Sequence, residues 1–254
     1  MRQLTGTRTH AIETPVWEYP PIHVAACYLP HDRIGGDFYE ILPLGEEHLG
    51  IWIGDVSGHG PEAAAVKRAA TRLLFERALV GPPGDPLAVL QEINLELYCQ
   101  LGRNTFITAY YGVLHRPSGR LTYVRAGHCR PILVSSDGVV SILDAPGIAF
   151  GLDPDALFRD AMAAGRATLD RDALLVLYTD GLVEAFSPRR GTYGIDRLHG
   201  FLRSVDRSAG VEEIRSRILG ELSGFLGDTQ LGDDLTLLCI KNEPGAAGPH
   251  GVPR

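Results

Sequence analysis

Residues 49–60 run Leu49-Gly50-Ile51-Trp52-Ile53-Gly54-Asp55-Val56-Ser57-Gly58-His59-Gly60, and Pro61 follows. The apolar stretch predicts a strand over His48–Val56 that ends on a carboxylate and then on a cluster of turn formers. Pro61 suits the first turn of a helix, and Ala63, Val66, Ala70, Leu73 and Leu74 recur at the three-or-four spacing of one buried face. Asp55 is therefore expected at the edge of a sheet, just ahead of a helix.

Working outward, Asp85-Pro86 reads as a cap and a first-turn proline, with Leu87, Leu90, Asn94, Leu97 and Leu101 along one stripe that the single Asn weakens slightly. Residues 24–29, 106–115, 121–125, 132–135 and 139–143 have strand character. Turns at Pro117-Ser118-Gly119 and Asp137-Gly138 make antiparallel meanders of the later ones. Residues 173–178 and 235–240 are almost wholly apolar, as strands covered on both faces are. Between them Val211, Ile214, Ile218, Leu222 and Phe225 mark an amphipathic helix. Segregated strands and helices without strict alternation predict an α+β fold with antiparallel sheet.

The 254 residues carry 24 Lys+Arg against 31 Asp+Glu, a formal charge of −7, and are 44% hydrophobic. That is enough apolar material for a core, and one domain over residues 21–241 is the simplest organisation, with polar, proline-bearing tails at 1–20 and 242–254. No apolar run approaches the ~20 residues of a membrane span, and the first residues lack a signal-peptide core, so a soluble cytoplasmic chain with no membrane partner is expected. An acidic balance without a basic run argues against nucleic acid as a partner. Cys27, Cys99, Cys129 and Cys239 form no C-x2-C pair, which disfavours a zinc knuckle or disulfide scaffold; buried free thiols are the default expectation.

Four aspartates fall among glycines at predicted strand ends or turns: Asp37 in Gly35-Gly36-Asp37-Phe38, Asp55, Asp180 in Tyr178-Thr179-Asp180-Gly181, and Asp233 in Gly232-Asp233-Asp234-Leu235-Thr236. Aspartate beside glycine can simply make a turn. If those edges converge, the carboxylates instead form an oxygen-ligand site suited to Mg²⁺ or Mn²⁺. Asp234, pointing away from Asp233 in an extended segment, is read as structural or supporting. His59 can serve as a proton donor or contact a metal-bound water, or be a turn residue without chemistry. Arg33, four residues before Asp37, is a candidate phosphate contact.

The strings GGDFYE, IGDVSGHG, YTDGLVEA and GDDLT, in that order over about 200 residues, resemble the SpoIIE-type bacterial members of the metal-dependent serine/threonine protein phosphatases, the PPM or type 2C-like superfamily. Residues 105–114, Gly119 to Tyr123 and Ala126-Gly127-His128 share the family's cadence, with His128 read as structural. The resemblance implies a four-layer αββα sandwich of two antiparallel sheets flanked by helices, and a centre of two Mn²⁺ or Mg²⁺ ions. In it Asp55 bridges both metals with the Val56 carbonyl as a further ligand, Asp37 holds one metal directly or through water, and Asp180 and Asp233 serve the other. It implies hydrolysis of phosphoserine and phosphothreonine by an activated water. By family analogy the substrate is a phosphorylated STAS-domain anti-anti-sigma factor in bacterial partner switching, with activation by a partner protein or a homodimer. The helix from Pro61 and the one after it are the expected regulatory surface.

Other classes stay open from the residues alone. A non-catalytic module could keep the fold and sequester a regulator. Gly35-Gly36-Asp37-Phe38 is also close to a nucleotidyl cyclase signature, with one acidic position missing. Cys27 and Arg33 have the C-x5-R spacing of a cysteine phosphatase, but Tyr-Leu-Pro-His-Asp between them is too bulky and acidic for a phosphate loop. Residues 184–191 read as a polar, mobile segment that contacts substrate.

Overall fold

A computed structural model describes residues 14–31, 35–58, 60–80, 85–102 and 105–243. In chain order these form β1 (Val16–Tyr19), β2 (Ile22–Leu29), β3 (Phe38–Leu44), β4 (His48–Val56), α1 (Pro61–Ala78), α2 (Pro86–Tyr98), β5 (Ile107–His115), β6 (Arg120–Ala126), β7 (Ile132–Val134) and β8 (Val140–Ile142). There follow α3 (Ala156–Ala161), β9 (Gly165–Thr168), β10 (Leu174–Tyr178), α4 (Asp180–Val183), β11 (Phe186–Ser187), β12 (Gly191–Thr192), α5 (Ile195–Ser204), α6 (Val211–Leu226) and β13 (Leu235–Asn242). The chain falls into two compact units, residues 34–130 with 143–168, and the remainder. The single domain read over 21–241 carries no linker of distinctive composition because the units are interleaved along the chain.

The first unit is built on a five-stranded sheet ordered β3-β4-β5-β6-β9, antiparallel throughout. β4 sits between β3 and β5, and six successive residues of it are buried, as its apolar run predicts. Even-numbered positions of β4 face α1 and α2, and Trp52 packs there against Tyr111, Phe38 and Phe150, with ring centroids 5.8, 5.9 and 6.2 Å away. Those tilted and edge-on contacts are the favoured aromatic geometries. Ala63, Ala70, Leu73 and Leu74 are the buried face of α1, as the spacing predicts, with Val66 partly buried.

α2 shows both a fulfilled expectation and a correction. Asp85 caps it, its carboxylate accepting from Ala88 N at 3.1 Å, and Pro86 is its first residue. Asn94 does not weaken the stripe. It is fully buried; its Nδ2 donates to the carbonyls of Asp153 and Pro154, and its Oδ1 accepts from Gly151 N. A buried amide satisfied on both ends acts as a clamp between the helix and the loop before α3.

The second unit carries a six-stranded antiparallel sheet ordered β1-β2-β13-β10-β7-β8. α6 packs on β2 and β13 through Ile214, Ile218 and Leu222. Between those apolar rows Arg215 is also buried, its Nη1 donating to the carbonyls of Ala26 and Thr14. Two antiparallel sheets with helices against each give the α+β class expected. Helix spacing and strand composition had already indicated it.

Several boundaries differ from the sequence reading. Val16–Tyr19, placed in the N-terminal tail, pair with β2, and Asn242 still belongs to β13. The rest of both predicted tails, 1–13 and 244–254, lies outside the described residues. The segment read as polar and mobile, residues 184–191, carries β11 and the start of β12, which pair as a hairpin, and its Arg190 donates to Gly224 O of α6. Of the cysteines only Cys27 and Cys239 are buried; Cys99 is exposed. No helix among the described residues is long and apolar enough to cross a membrane.

Replacing Asn94 by Ala leaves two carbonyls and an amide of the α3 approach without their partner. Urea unfolding is expected to show a loss of about 2–4 kcal/mol at unchanged slope, and wild-type stability in this variant would refute the clamp.

Candidate active site

β3 and β4 pair with Phe38 opposite Gly54, and the ladder continues one step beyond β3, where Val56 N donates to Gly36 O at 3.3 Å. That register sets Asp37 beside the end of β4 that carries Asp55. Gly36 permits the approach. A Cβ there would lie 2.5 Å from the Val56 carbonyl oxygen and 2.8 Å from Asp55 Oδ1, distances no side chain tolerates. The Asp55 carboxylate and the Val56 carbonyl thus crowd the same point, the two oxygens the resemblance names as ligands.

Asp37 itself is buried, 1% exposed, and its carbonyl accepts from Lys67 Nζ of α1, so the first helix reaches back onto the aspartate loop. Beyond Asp55 the turn is fastened to β5. Ser57 N donates to Phe106 O and Ser57 Oγ accepts from Phe106 N at 2.9 Å. Gly58 and Gly60 have φ of 92° and 89°, a region that favours glycine and lets the chain reverse into Pro61. Directly opposite Asp55 on β5 stands Thr108, whose hydroxyl is 2.9 Å from Nδ1 of the buried His128. Arg125 Nη1 donates to the His128 carbonyl, so the histidine is held from two sides. Thr108 was absent from the sequence reading, and only strand register reveals its place.

The other two aspartates meet in the same manner in the second unit. Thr179, at the end of β10, donates its N–H to Thr236 O, and its hydroxyl accepts from Thr236 N at 2.9 Å. This locks the start of α4 to the start of β13. A Cβ on Gly181 would lie 1.9 Å from the Asp234 carbonyl oxygen, so only glycine lets α4 sit against the Gly232-Asp233-Asp234 turn. Burial, then the neighbouring charges of Asp233 and Glu184, hold the Asp180 carboxyl above the usual carboxylate range. Glu184 was not singled out from the sequence, because the four residues of α4 are too few to show a helical period.

Asp233 is exposed and its Oδ1 accepts from Asp234 N at 2.8 Å. Asp234 is buried and does different work, its Oδ1 accepting from His31 N at 2.7 Å, while the His31 ring reaches Leu231 O. It ties the end of β2 to the approach of β13. Arg33 and His59 lie outside the described residues. Cys27 stands inside β2 opposite Leu237, and burial pushes its thiol up to about 12, which removes it as a thiolate nucleophile.

The donor set suits a hard cation. Every candidate ligand is an oxygen, and the like-charged Asp180–Asp233 pair is relieved by positive charge. Among the described residues no three or more His, Cys, Asp and Glu form a metal-holding group. A carboxylate beside a backbone carbonyl, as at Asp55 and Val56, is the kind of donor set that Mg²⁺ takes, with one or two carboxylates and several retained waters.

The chain is similar to several known proteins. IcfG of Synechocystis sp. is 26% identical over 244 residues, 85% of this chain and 37% of its own length. The phosphoserine phosphatase RsbP of Bacillus subtilis is 26% identical over 181 residues, covering 70% of this chain and 43% of its own. The chain thus spans less than half the length of these relatives. Among solved structures, the SiaA-PP2C domain of Pseudomonas aeruginosa superposes with a TM-score of 0.72 at 24% identity, covering 86% of this chain and 85% of that one. RsbX, solved in complex with magnesium, gives 0.66 at 19% identity, covering 91% of this chain and 98% of that one. The fold is therefore that of PP2C-type domains. The family model for stage II sporulation protein E, SpoIIE, matches residues 45–243, a span that includes the motifs around Asp55, Asp180 and Asp233, and the chain belongs to that family.

Proposed function

We propose that this chain is a Mn²⁺- or Mg²⁺-dependent protein phosphatase that hydrolyses phosphoserine and phosphothreonine. The observation that carries the proposal is the pair of close glycine contacts, Gly36 against the Val56 carbonyl and the Asp55 carboxylate and Gly181 against the Asp234 carbonyl, which gather oxygen atoms at each aspartate turn. The ligands of two ions are Asp37, Asp55, the Val56 carbonyl, Asp180 and Asp233. When bound, such ions lower the pKa of a water so that it attacks phosphorus and neutralise charge on the phosphoryl oxygens. Thr108 and His128 brace the strand beside Asp55, and Lys67 holds the backbone of the Asp37 loop from α1. No side chain is needed as a covalent nucleophile, and the buried Cys27 is not one.

The name of RsbP, a phosphoserine phosphatase, and the magnesium in the RsbX structure support the reaction class and the cofactor. The substrate proposed is a phosphorylated STAS-domain anti-anti-sigma factor. It rests on the family resemblance, since a fold does not choose a substrate.

With an aryl phosphate as substrate, hydrolysis is expected to require Mn²⁺ or Mg²⁺, and Asp55→Asn and Asp233→Asn are each expected to lower kcat about a hundredfold or more. Full activity in EDTA, or in both variants, would sink the metal mechanism. Gly181→Ala, which must push α4 off the Asp234 carbonyl, is expected to raise the Mn²⁺ concentration needed for half-maximal activity roughly tenfold or more. Gly220→Ala, on the open face of α6 where an added Cβ meets nothing within 4 Å, should leave it unchanged. Equal Mn²⁺ requirements in the two variants would show that the Gly181 contact does not position the carboxylates.

A further inference from the structure

The helix-bearing face of the five-stranded sheet is not covered along its whole length. Trp52, Tyr111 and Val124 form one cross-strand row in the core that α1 and α2 cover. Two residues further from that row, on the same face, stand Gly50, Val113, Thr122 and Arg166 in register, and two further again His48, His115, Arg120 and Thr168. All of these last two rows except Gly50 line a cavity of about 480 Å³. It lies at the opposite end of β4 from Asp55, seven residues or about 23 Å along the strand.

The walls are cationic in a chain whose formal charge is −7. Among the described residues neither Arg120 nor Arg166 has a carboxylate partner. Arg120 Nε donates to Ser118 Oγ at 3.2 Å, and that hydroxyl lies 2.6 Å from His115 Nδ1. His115 Nε2 faces Glu47 at 3.3 Å, an exposed carboxylate and the one acidic group in this network. The His48 and His115 rings lie against each other with centroids 4.8 Å apart. Burial and then His115 hold His48 below the ordinary imidazole value, with Glu47 opposing them and Arg116 and Arg120 adding to the lowering.

We propose that this cavity binds a small phosphorylated metabolite of about mononucleotide size. Arg120 and Arg166 supply guanidinium donors to the phosphate. Thr122 and Thr168 add hydroxyl donors, and the two imidazoles, inclined to each other at 52°, line the cavity with Val113 where the body of the ligand would lie. The volume lies within the 300–1,000 Å³ range typical of small-molecule sites. A concave site of this size favours a free metabolite over a phosphorylated segment of another protein.

The test uses the full chain in EDTA, which keeps phosphate away from any metal. AMP, ribose 5-phosphate and adenosine are titrated while the imidazole resonances of His48 and His115 are followed by NMR. Saturable shifts are expected with the two phosphorylated probes and none with adenosine. Arg120→Gln/Arg166→Gln is expected to weaken binding roughly tenfold or more, with circular dichroism melts confirming that it folds, while Asp55→Asn binds as the wild type does. Arg166→Ala alone provides a second variant if the double one unfolds, and it too should bind more weakly. The proposal is overturned by no saturable shift up to about 10 mM of either phosphorylated probe. It is equally overturned by unchanged affinity in the arginine variants, or by a phosphoserine peptide binding where AMP does not.

Discussion

Close approach of backbone to backbone at two glycines is the constraint on which the candidate site depends. Gly181 lies against the Asp234 carbonyl, and Gly36 against the Val56 carbonyl and the Asp55 carboxylate. Each contact is too short for any side chain, and each sets one acidic residue beside another element's oxygen donors. Burial first, and then the like charges of Asp233 and Glu184, hold the Asp180 carboxyl above its usual range, so attraction between carboxylates does not build that turn. It has to be imposed by elements whose own stability is independent of the charges.

The sheets supply that stability. β4 and β13 are interior strands, each with a paired neighbour on both sides, and each is almost wholly buried. Asp55 sits at the close of one and Asp233 just before the start of the other. The aromatic packing of Trp52 and the grip of Thr179 on Thr236 hold those strand ends where they are. Strand ends held in this way fix the backbone on which the aspartates are carried, and a fixed backbone is what preorganisation of a site starts from. The same regular pairing, carried to the far end of β4, lines up histidines and arginines across neighbouring strands where the helices stop.

Much of this was legible in advance. α1 and α2 announced themselves through a proline at the first position and apolar residues at helical spacing, and the interior strands through unbroken apolar runs. Edge elements were harder. β3 buries Phe38, Leu42 and Leu44 but is interrupted by Glu40 and Pro43, tolerable because it is an edge strand, and β9 is the short segment Gly165–Thr168 with two exposed residues. Asn94 looked like a flaw because its partners lie near residue 153, and no local pattern can encode a hydrogen bond across that separation.

The sequence by itself determined the chemistry at stake: four aspartates next to glycines, in the order and context of one phosphatase family, on an α+β chain. It could do so because residue type, local period and motif order are carried by neighbouring positions. Only the tertiary structure decided where each of those residues sits and what it touches. It separated Asp233, exposed beside Asp180, from Asp234, buried and bonded to His31, and it set Thr108 and His128 behind Asp55. It also turned two invisible features, the missing Cβ atoms of Gly36 and Gly181, into the contacts that shape the site. Such contacts depend on strand register and on residues far apart in the chain, and register is a property of the folded sheet.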